Sequence, residues 1–275
     1  MLYLVATPIG NLGDISARAL ETLRSVDLIA AEDTRVTRKL LSHFDIPTSC
    51  IAYHEHSGPA ATDALVRRMA EQEASIALVT DAGTPGISDP GIDLVSAAVA
   101  AGVAVTPIPG PAAFVAALTA SGLPCARFVF EGFLPRTRST RLSRIEALAR
   151  EPRTVIFYEA PQRAAETLAE IASRFGEDRP ACLAREVTKK FEEFRRAPLG
   201  DLARGCAADP PRGECVLVIG GAPETSAATV AAEELDDGAG DNALIKRLAA
   251  QAGVSRRDLY KCIADLKRAA REAAT

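Results

Sequence analysis

Charged residues gather at the ends of apolar runs in this chain. Glu32-Asp33-Thr34-Arg35 closes one run, and Arg185-Glu186 with Lys189-Lys190 closes another. Asp81 and Asp89 flank the segment TDAGTPGISDPG at 80–91. A carboxylate or a neutral lysine within about 2.6–3.2 Å of a hydroxyl can take its proton. Each group also has a plainer use. Glu32 and Asp33 suit the start of a helix at 35–43, where the dipole favours acids. Lys189-Lys190 suits a solvated turn, Asp81 an Asx-type loop bond, and Asp89 a helix cap before Pro90.

Other chemistries lack their residues. There is no GxGxxG, no GxxxxGK[ST] and no GxSxG, so neither a phosphate cradle nor a nucleophile elbow is indicated. The six cysteines stand apart and read as small hydrophobes in a reducing compartment. His54-Glu55-His56 is not HExxH, and no metal is expected. Glycine and proline concentrate in TPIGN (7–11), in 80–91 and in PIPGP (107–111). A simple strand-to-helix turn takes about 2–6 residues, so the twelve of 80–91 point to a binding loop. Three such loops at one sheet edge predict a pocket of neutral character, suited to a nucleoside without phosphate.

The elements that must position these loops follow from periodicity. Apolar runs at 2–6, 27–32, 50–53, 75–80 and 103–108 read as strands. Helices alternate with them: one capped by Asp14 or Ser16 and reaching Leu23, then 35–43, 60–72, 91–101 and 112–120. This is the pattern of βαβ units around a parallel sheet covered on both faces. A second α/β set has strands at 127–133, 154–159, 181–186, 192–196 and 214–220, with helices at 141–150 and 161–174, and predicts a mixed sheet. The expected organisation is an α/β domain over 1–121, a second over 122–222, a linker at 223–241 and a helical module at 242–275 with Ser255 as a cap. No apolar run reaches 18 residues and the N-terminus has no basic leader, so a cytoplasmic protein without a membrane span is expected.

Six segments carry a resemblance: YLVATPIGNLGDIS (3–16), AAEDTRVTRKLL (30–41), LVTDAGTPGISDPG (78–91), PIPGPAAFVAALTASGLP (107–124), FEGFLP (130–135) and REVTKKFEEF (185–194). Together and in this order they resemble the ribosomal RNA 2′-O-ribose methyltransferase branch of the tetrapyrrole-methylase superfamily. The resemblance covers about 1–222. It implies a two-domain tetrapyrrole-methylase-like α/β fold with S-adenosylmethionine between the domains. It implies a homodimer whose acceptor is a cytidine ribose in the decoding region of 16S rRNA, within the small ribosomal subunit. Relatives hold the donor through a GGDP-type loop; here Ala82-Gly83-Thr84-Pro85 stands in its place, with Thr84 where Asp is usual. The resemblance carries Pro8, Thr84, Pro85, Ile87, Ala112 and Ala113 over as donor contacts, and Tyr158, Ala184 and Gly213 from the second domain. On the acceptor side the charged strand ends point to Asp33, Arg35, Arg185 and Glu186, and the resemblance does not settle which of them, if any, is the base.

Charge is the objection to an RNA substrate. The chain has 32 basic and 36 acidic side chains, a net charge of −4. Distribution answers it: 223–243 holds six acids and no base, while 136–153 and 244–275 are net basic. Phosphate contacts are therefore expected at Arg136, Arg138, Arg141, Lys189, Lys190, Arg256 and Arg257. Base stacking would fall to Phe or Tyr, with Phe133 and Phe191 as candidates that suit the core equally well. Two other readings compete: a small-molecule methylase acting on a tetrapyrrole, and a non-catalytic RNA-binding assembly factor.

Overall fold

A computed structural model describes residues 1–223, 249 and 254–262. The chain forms two compact units, Met1–Gly221 and Ala222–Thr275.

The first unit holds two sheets. Strands β1 (Leu2–Val5), β2 (Leu28–Ala31), β3 (Cys50–Ala52), β4 (Ile76–Val79) and β5 (Val105–Ile108) form a sheet ordered β3-β2-β4-β1-β5, parallel throughout. Its apolar runs are explained by cover on both faces. Helices α1 (Ala17–Ser25) and α2 (Thr34–His43) bury Leu23 and Leu41 on one face with Ile29 and Val79. Helices α3 (Gly58–Glu71) and α4 (Ile92–Ala100) bury Leu65, Met69 and Leu94 on the other with Ile76 and Leu78. Of the two cap candidates for α1, Ser16 holds the position, its hydroxyl accepting from the Ala19 amide at 3.1 Å.

Helix α5 (Ala113–Ser121) leaves this sheet and covers the next. Its Ala117 and Leu118 are buried with Ile156, Cys182, Ala184, Val216 and Val218. The second sheet comprises β6 (Phe128–Phe133), β7 (Thr154–Glu159), β8 (Pro180–Arg185), β9 (Glu193–Pro198) and β10 (Cys215–Ile219), ordered β6-β7-β10-β8-β9. Only the β6–β7 pair is parallel, so the sheet is mixed as expected. Helices α6 (Arg138–Leu148), α7 (Ala164–Phe175) and α8 (Leu199–Ala208) cover its other face through Ile145, Leu168, Ile171 and Leu202.

Three helices depart from the sequence reading, α7 by starting three residues later than 161. Helix α6 starts three residues earlier than the periodicity indicated. Helix α8 was not expected at all. Its Leu199, Leu202, Ala203 and Cys206 are buried at helical spacing, but Gly200 and Gly205 interrupt the pattern with poor helix formers. Gly200 has a packing reason: a Cβ there would meet the Glu177 side chain, its Cβ at 2.9 Å.

In the second unit, residues 256–262 are helical and Ser255 accepts from the Asp258 amide at 3.2 Å, the capping role read from the sequence. Most of the helical module expected over 242–275 lies outside the described residues.

Candidate active site

The loops leaving the carboxyl ends of β1, β4 and β5 are laced together by their backbones. Thr7 and Gly83 exchange two amide hydrogen bonds, of 2.8 and 3.0 Å. The Thr84 hydroxyl donates to the Pro111 carbonyl at 3.1 Å, tying the loop after β4 to the one after β5. Gly83 sits at φ +88 and Ser88 at φ +60, the left-handed conformation that glycine tolerates and serine rarely adopts. Gly132, in a bulge of β6, lies so near this loop that a Cβ would meet the Ser88 hydroxyl oxygen at 3.0 Å.

Between these loops and the second sheet lies a cavity of about 360 Å³. The first sheet supplies Ile9, Thr84, Ile87, Asp89, Ala112 and Ala113 to its wall. The second supplies Phe133, Tyr158, Glu159 and Glu214. The Tyr158 hydroxyl accepts from the Phe114 amide at 3.2 Å, which locks the first turn of α5 onto β7.

Electrostatics single out Asp89. Burial first, then the charges of Glu32 and Asp81, push its carboxyl up to about 6. Asp81 is also raised, mainly by burial, although it accepts the Asp33 amide at 3.1 Å. Asp89 does not cap the next helix: Gly91, at φ +129, occupies that position. The signal for Asp89 in the sequence is an acid inside a loop too long for a plain turn.

Of the residues carried over as donor contacts, Thr84, Ile87, Ala112, Ala113 and Tyr158 converge on the cavity. Pro8 and Pro85 are not in its wall; Pro8 faces a separate hollow with Leu12 and Leu40, and its neighbour Ile9 takes the expected place. Ala184, on β8 and paired with Val216 of β10, is fully buried because strand alternation turns it into the core under α5. Gly213 stands just before the cavity residues Glu214 and Cys215. At φ +78 it leaves room for Glu186, whose Oε1 a Cβ would strike.

The four acceptor-side residues are engaged with one another or with their neighbours, away from the cavity wall. Asp33 caps α2, accepting the Arg35 amide at 2.7 Å and pairing with the Arg35 guanidinium at 2.6 Å. That bonding holds its carboxyl down at about 2, a poor proton acceptor. Arg185 pairs with Glu193. Glu186 accepts from Lys189 Nζ at 3.0 Å and from the Glu214 amide at 3.1 Å.

The expected phosphate contacts divide in the same way. Arg141 is buried, 5% exposed along its side chain, and held by Glu170 at 2.6 Å and Glu166 at 2.9 Å. It is part of the core. Lys189 is held by Glu186 and by Glu214 at 2.9 Å, so its charge is answered within the chain. Arg136 and Arg138 are exposed, as are Lys190, Arg256 and Arg257. Arg138 reaches Glu170 at 3.3 Å with its side chain 73% exposed. Among the described residues no group of three or more His, Cys, Asp or Glu is placed to hold a metal, and no helix is long and apolar enough to cross a membrane.

Comparison with known proteins adds to this geometry. A family model described as Tetrapyrrole (Corrin/Porphyrin) Methylases matches residues 1–203. The chain is 46% identical over 275 residues to "Ribosomal RNA small subunit methyltransferase I" of Synechocystis sp., covering 97% of this chain and 98% of that one. It is 52% identical over 227 residues to the protein of the same name from Pseudomonas aeruginosa, covering 81% and 80%. Among solved structures it is similar to uroporphyrin-III C-methyltransferase from Thermus thermophilus complexed with S-adenosyl homocysteine. That TM-score is 0.55 at 20% identity, over 80% of this chain and 96% of the other, a likeness of fold.

Proposed function

The chain belongs to the tetrapyrrole methylase family and is an S-adenosylmethionine-dependent rRNA methyltransferase; on that premise we propose that it methylates the 2′-hydroxyl of a cytidine in the decoding region of 16S rRNA. The observation that carries the reading is the cavity between the two sheets. Its volume, about 360 Å³, falls within the range of about 300–1,000 Å³ of small-molecule sites. Its wall joins apolar side chains to the acid Asp89, a lining that fits a donor with an apolar body and a positive sulfonium. Thr84, Ile87, Ala112, Ala113 and Tyr158 would hold that donor.

Bound there, S-adenosylmethionine supplies an already activated methyl group. What remains for the chain is to align the acceptor oxygen and to dispose of its proton. Asp89 is the proposed proton acceptor, because it faces the cavity and its carboxylate is not consumed by an ion pair among the described residues. Thr84, bonded to the Pro111 carbonyl, keeps the loop that carries Asp89 against the loop after β5. The family resemblance further supports a cytoplasmic homodimer acting on the small ribosomal subunit.

The reading is tested by supplying radiolabelled donor with 30S subunits or with a uroporphyrinogen. Label in 2′-O-methylcytidine of the rRNA is expected. Label in the porphyrinoid and none in rRNA would replace this reading with the tetrapyrrole one. Tight donor binding with no turnover on any ribosomal substrate would favour an assembly factor.

A further inference from the structure

Two larger cavities adjoin the one between the sheets, and they differ in charge. One shares Ser88 and Asp89 with it and is lined by Glu32, Glu55, Asp63 and Asp93, with His54 beside them. The other shares Phe133, Glu159 and Ala160 with it and is lined by Arg136, Arg138 and Arg163, with Arg141 and Glu166 paired to each other. A polyanion is repelled by the first and attracted by the second. The acids on the arginine side are partly answered already. Glu159 accepts from Thr167 at 2.7 Å and pairs with Arg163 at 3.3 Å. Arg136 has no ion pair among the described residues.

Phe133 stands where the arginine side meets the donor cavity, 61% exposed. A large aromatic so exposed beside a pocket needs a reason, and β6 carries a device that puts it there. Phe130 pairs with Ile156, but Gly132 pairs with Phe157, leaving Glu131 as an extra residue. Gly132 takes φ +63 to make the bulge. The insertion brings Phe133 into register with Tyr158, their ring centroids 5.5 Å apart, at the mouth of the cavity. Bulges next to active sites commonly re-aim a side chain in this way.

We propose that the acceptor strand runs along the Arg136, Arg138 and Arg163 side, and that the base of the methylated nucleotide stacks on Phe133 while its ribose turns into the cavity. The proposal rests on the rRNA reading above and names the part of the molecule that grips the substrate. Arginines track the phosphates without reading sequence. An unpaired base offers its face to an aromatic ring, the usual way single-stranded RNA is held. The neighbouring Tyr158 ring, fixed by the Phe114 amide, backs the platform.

The test compares methyl transfer to 30S subunits by the wild type, Phe133→Leu, Phe133→Tyr and the double variant Arg136→Ala/Arg138→Ala, with donor binding measured by calorimetry. Phe133→Leu is expected to lose about 5- to 150-fold in kcat/KM for the subunit, the range of one base stack and a larger loss than its effect on donor Kd, since the ring also borders the donor cavity. Phe133→Tyr keeps the ring and retains most of the activity. The arginine variant raises KM for the subunit and flattens its dependence on salt. Glu55→Gln and Asp63→Asn, on the acidic side, retain wild-type KM. An unchanged kcat/KM for Phe133→Leu, or a raised KM confined to the acidic-side variants, overturns the proposal. A wild type that labels no subunit at all overturns the rRNA reading instead, so the two failures are distinct.

Discussion

The acidic and the arginine-lined cavities are nearly equal in size, about 790 and 780 Å³, and border the same central cavity, one through Ser88 and Asp89 and the other through Phe133, Glu159 and Ala160. On the acidic side, carboxylates from the ends of β2 and β4 crowd one another. Burial first, and the charges of Glu32 and Asp81 after it, raise Asp89 to about 6; Asp81, which lines a separate hollow, is raised mainly by burial. On the arginine side, charge is sorted by depth. Arg141 is sealed against Glu170, whereas Arg136 and Arg138 are left to solvent. A negative edge that holds a proton well suits the chemistry of abstraction, and a positive edge suits the docking of a polyanion. The net charge of −4 conceals this sorting because it sums over the whole chain.

The largest expected effect breaks the acidic side. Asp89→Asn removes the proposed proton acceptor, and kcat is expected to fall by about 10²- to 10⁴-fold, the usual contribution of a general base. In the wild type, kcat rises with pH through about 6 as the carboxylate loses its proton; the variant lacks that limb. Stability should move the other way. The folded chain binds the Asp89 proton more tightly than the unfolded chain, so this residue's contribution falls as pH rises from about 4 to about 6. Asp89→Asn is therefore expected to raise Tm at neutral pH, an advantage that disappears near pH 3. Unchanged kcat and an unchanged pH profile would remove Asp89 from the chemistry.

Arg141→Ala probes the other side and separates fold from docking. It leaves the buried Glu170 carboxylate with only the 3.3 Å contact to the exposed Arg138, which costs about 3 kcal/mol of stability by denaturant unfolding. At temperatures where the variant stays folded, the salt slope of subunit binding should match the wild type. A flattened slope would put Arg141 back among the phosphate contacts.

Ser16→Ala lies away from both cavities and gives the baseline. Loss of the bond to the Ala19 amide should cost about 1 kcal/mol of stability with no change in kcat or KM. A change in activity there would mean that α1 is coupled to the site.

The first sheet was legible because its strands are buried on both faces and so read as unbroken apolar runs, and because Ser16 caps where a cap was needed. The loops 7–11, 80–91 and 107–111 were legible from glycine and proline, and they do meet at one edge. What the sequence hid was partnership. Nothing local distinguishes Arg141, whose acids lie 25 and 29 residues away on α7, from Arg136, which has no ion pair among the described residues. Nor does anything local separate Asp33, held by Arg35, from Asp89, raised by burial and by Glu32 57 positions earlier. Helix α8 was hidden by two glycines, and the bulge that aims Phe133 by the absence of any pairing information in one strand alone.

The claim on which all of this depends is that the cavity between the sheets takes the methyl donor. A crystal structure of the protein with S-adenosyl homocysteine tests it most directly. The account predicts density bounded by Thr84 and Ile87 on one side, Ala112 and Ala113 beneath, and Tyr158 opposite. Density seated instead among Glu55, Asp63 and Asp93, with the cavity between the sheets empty, would contradict it.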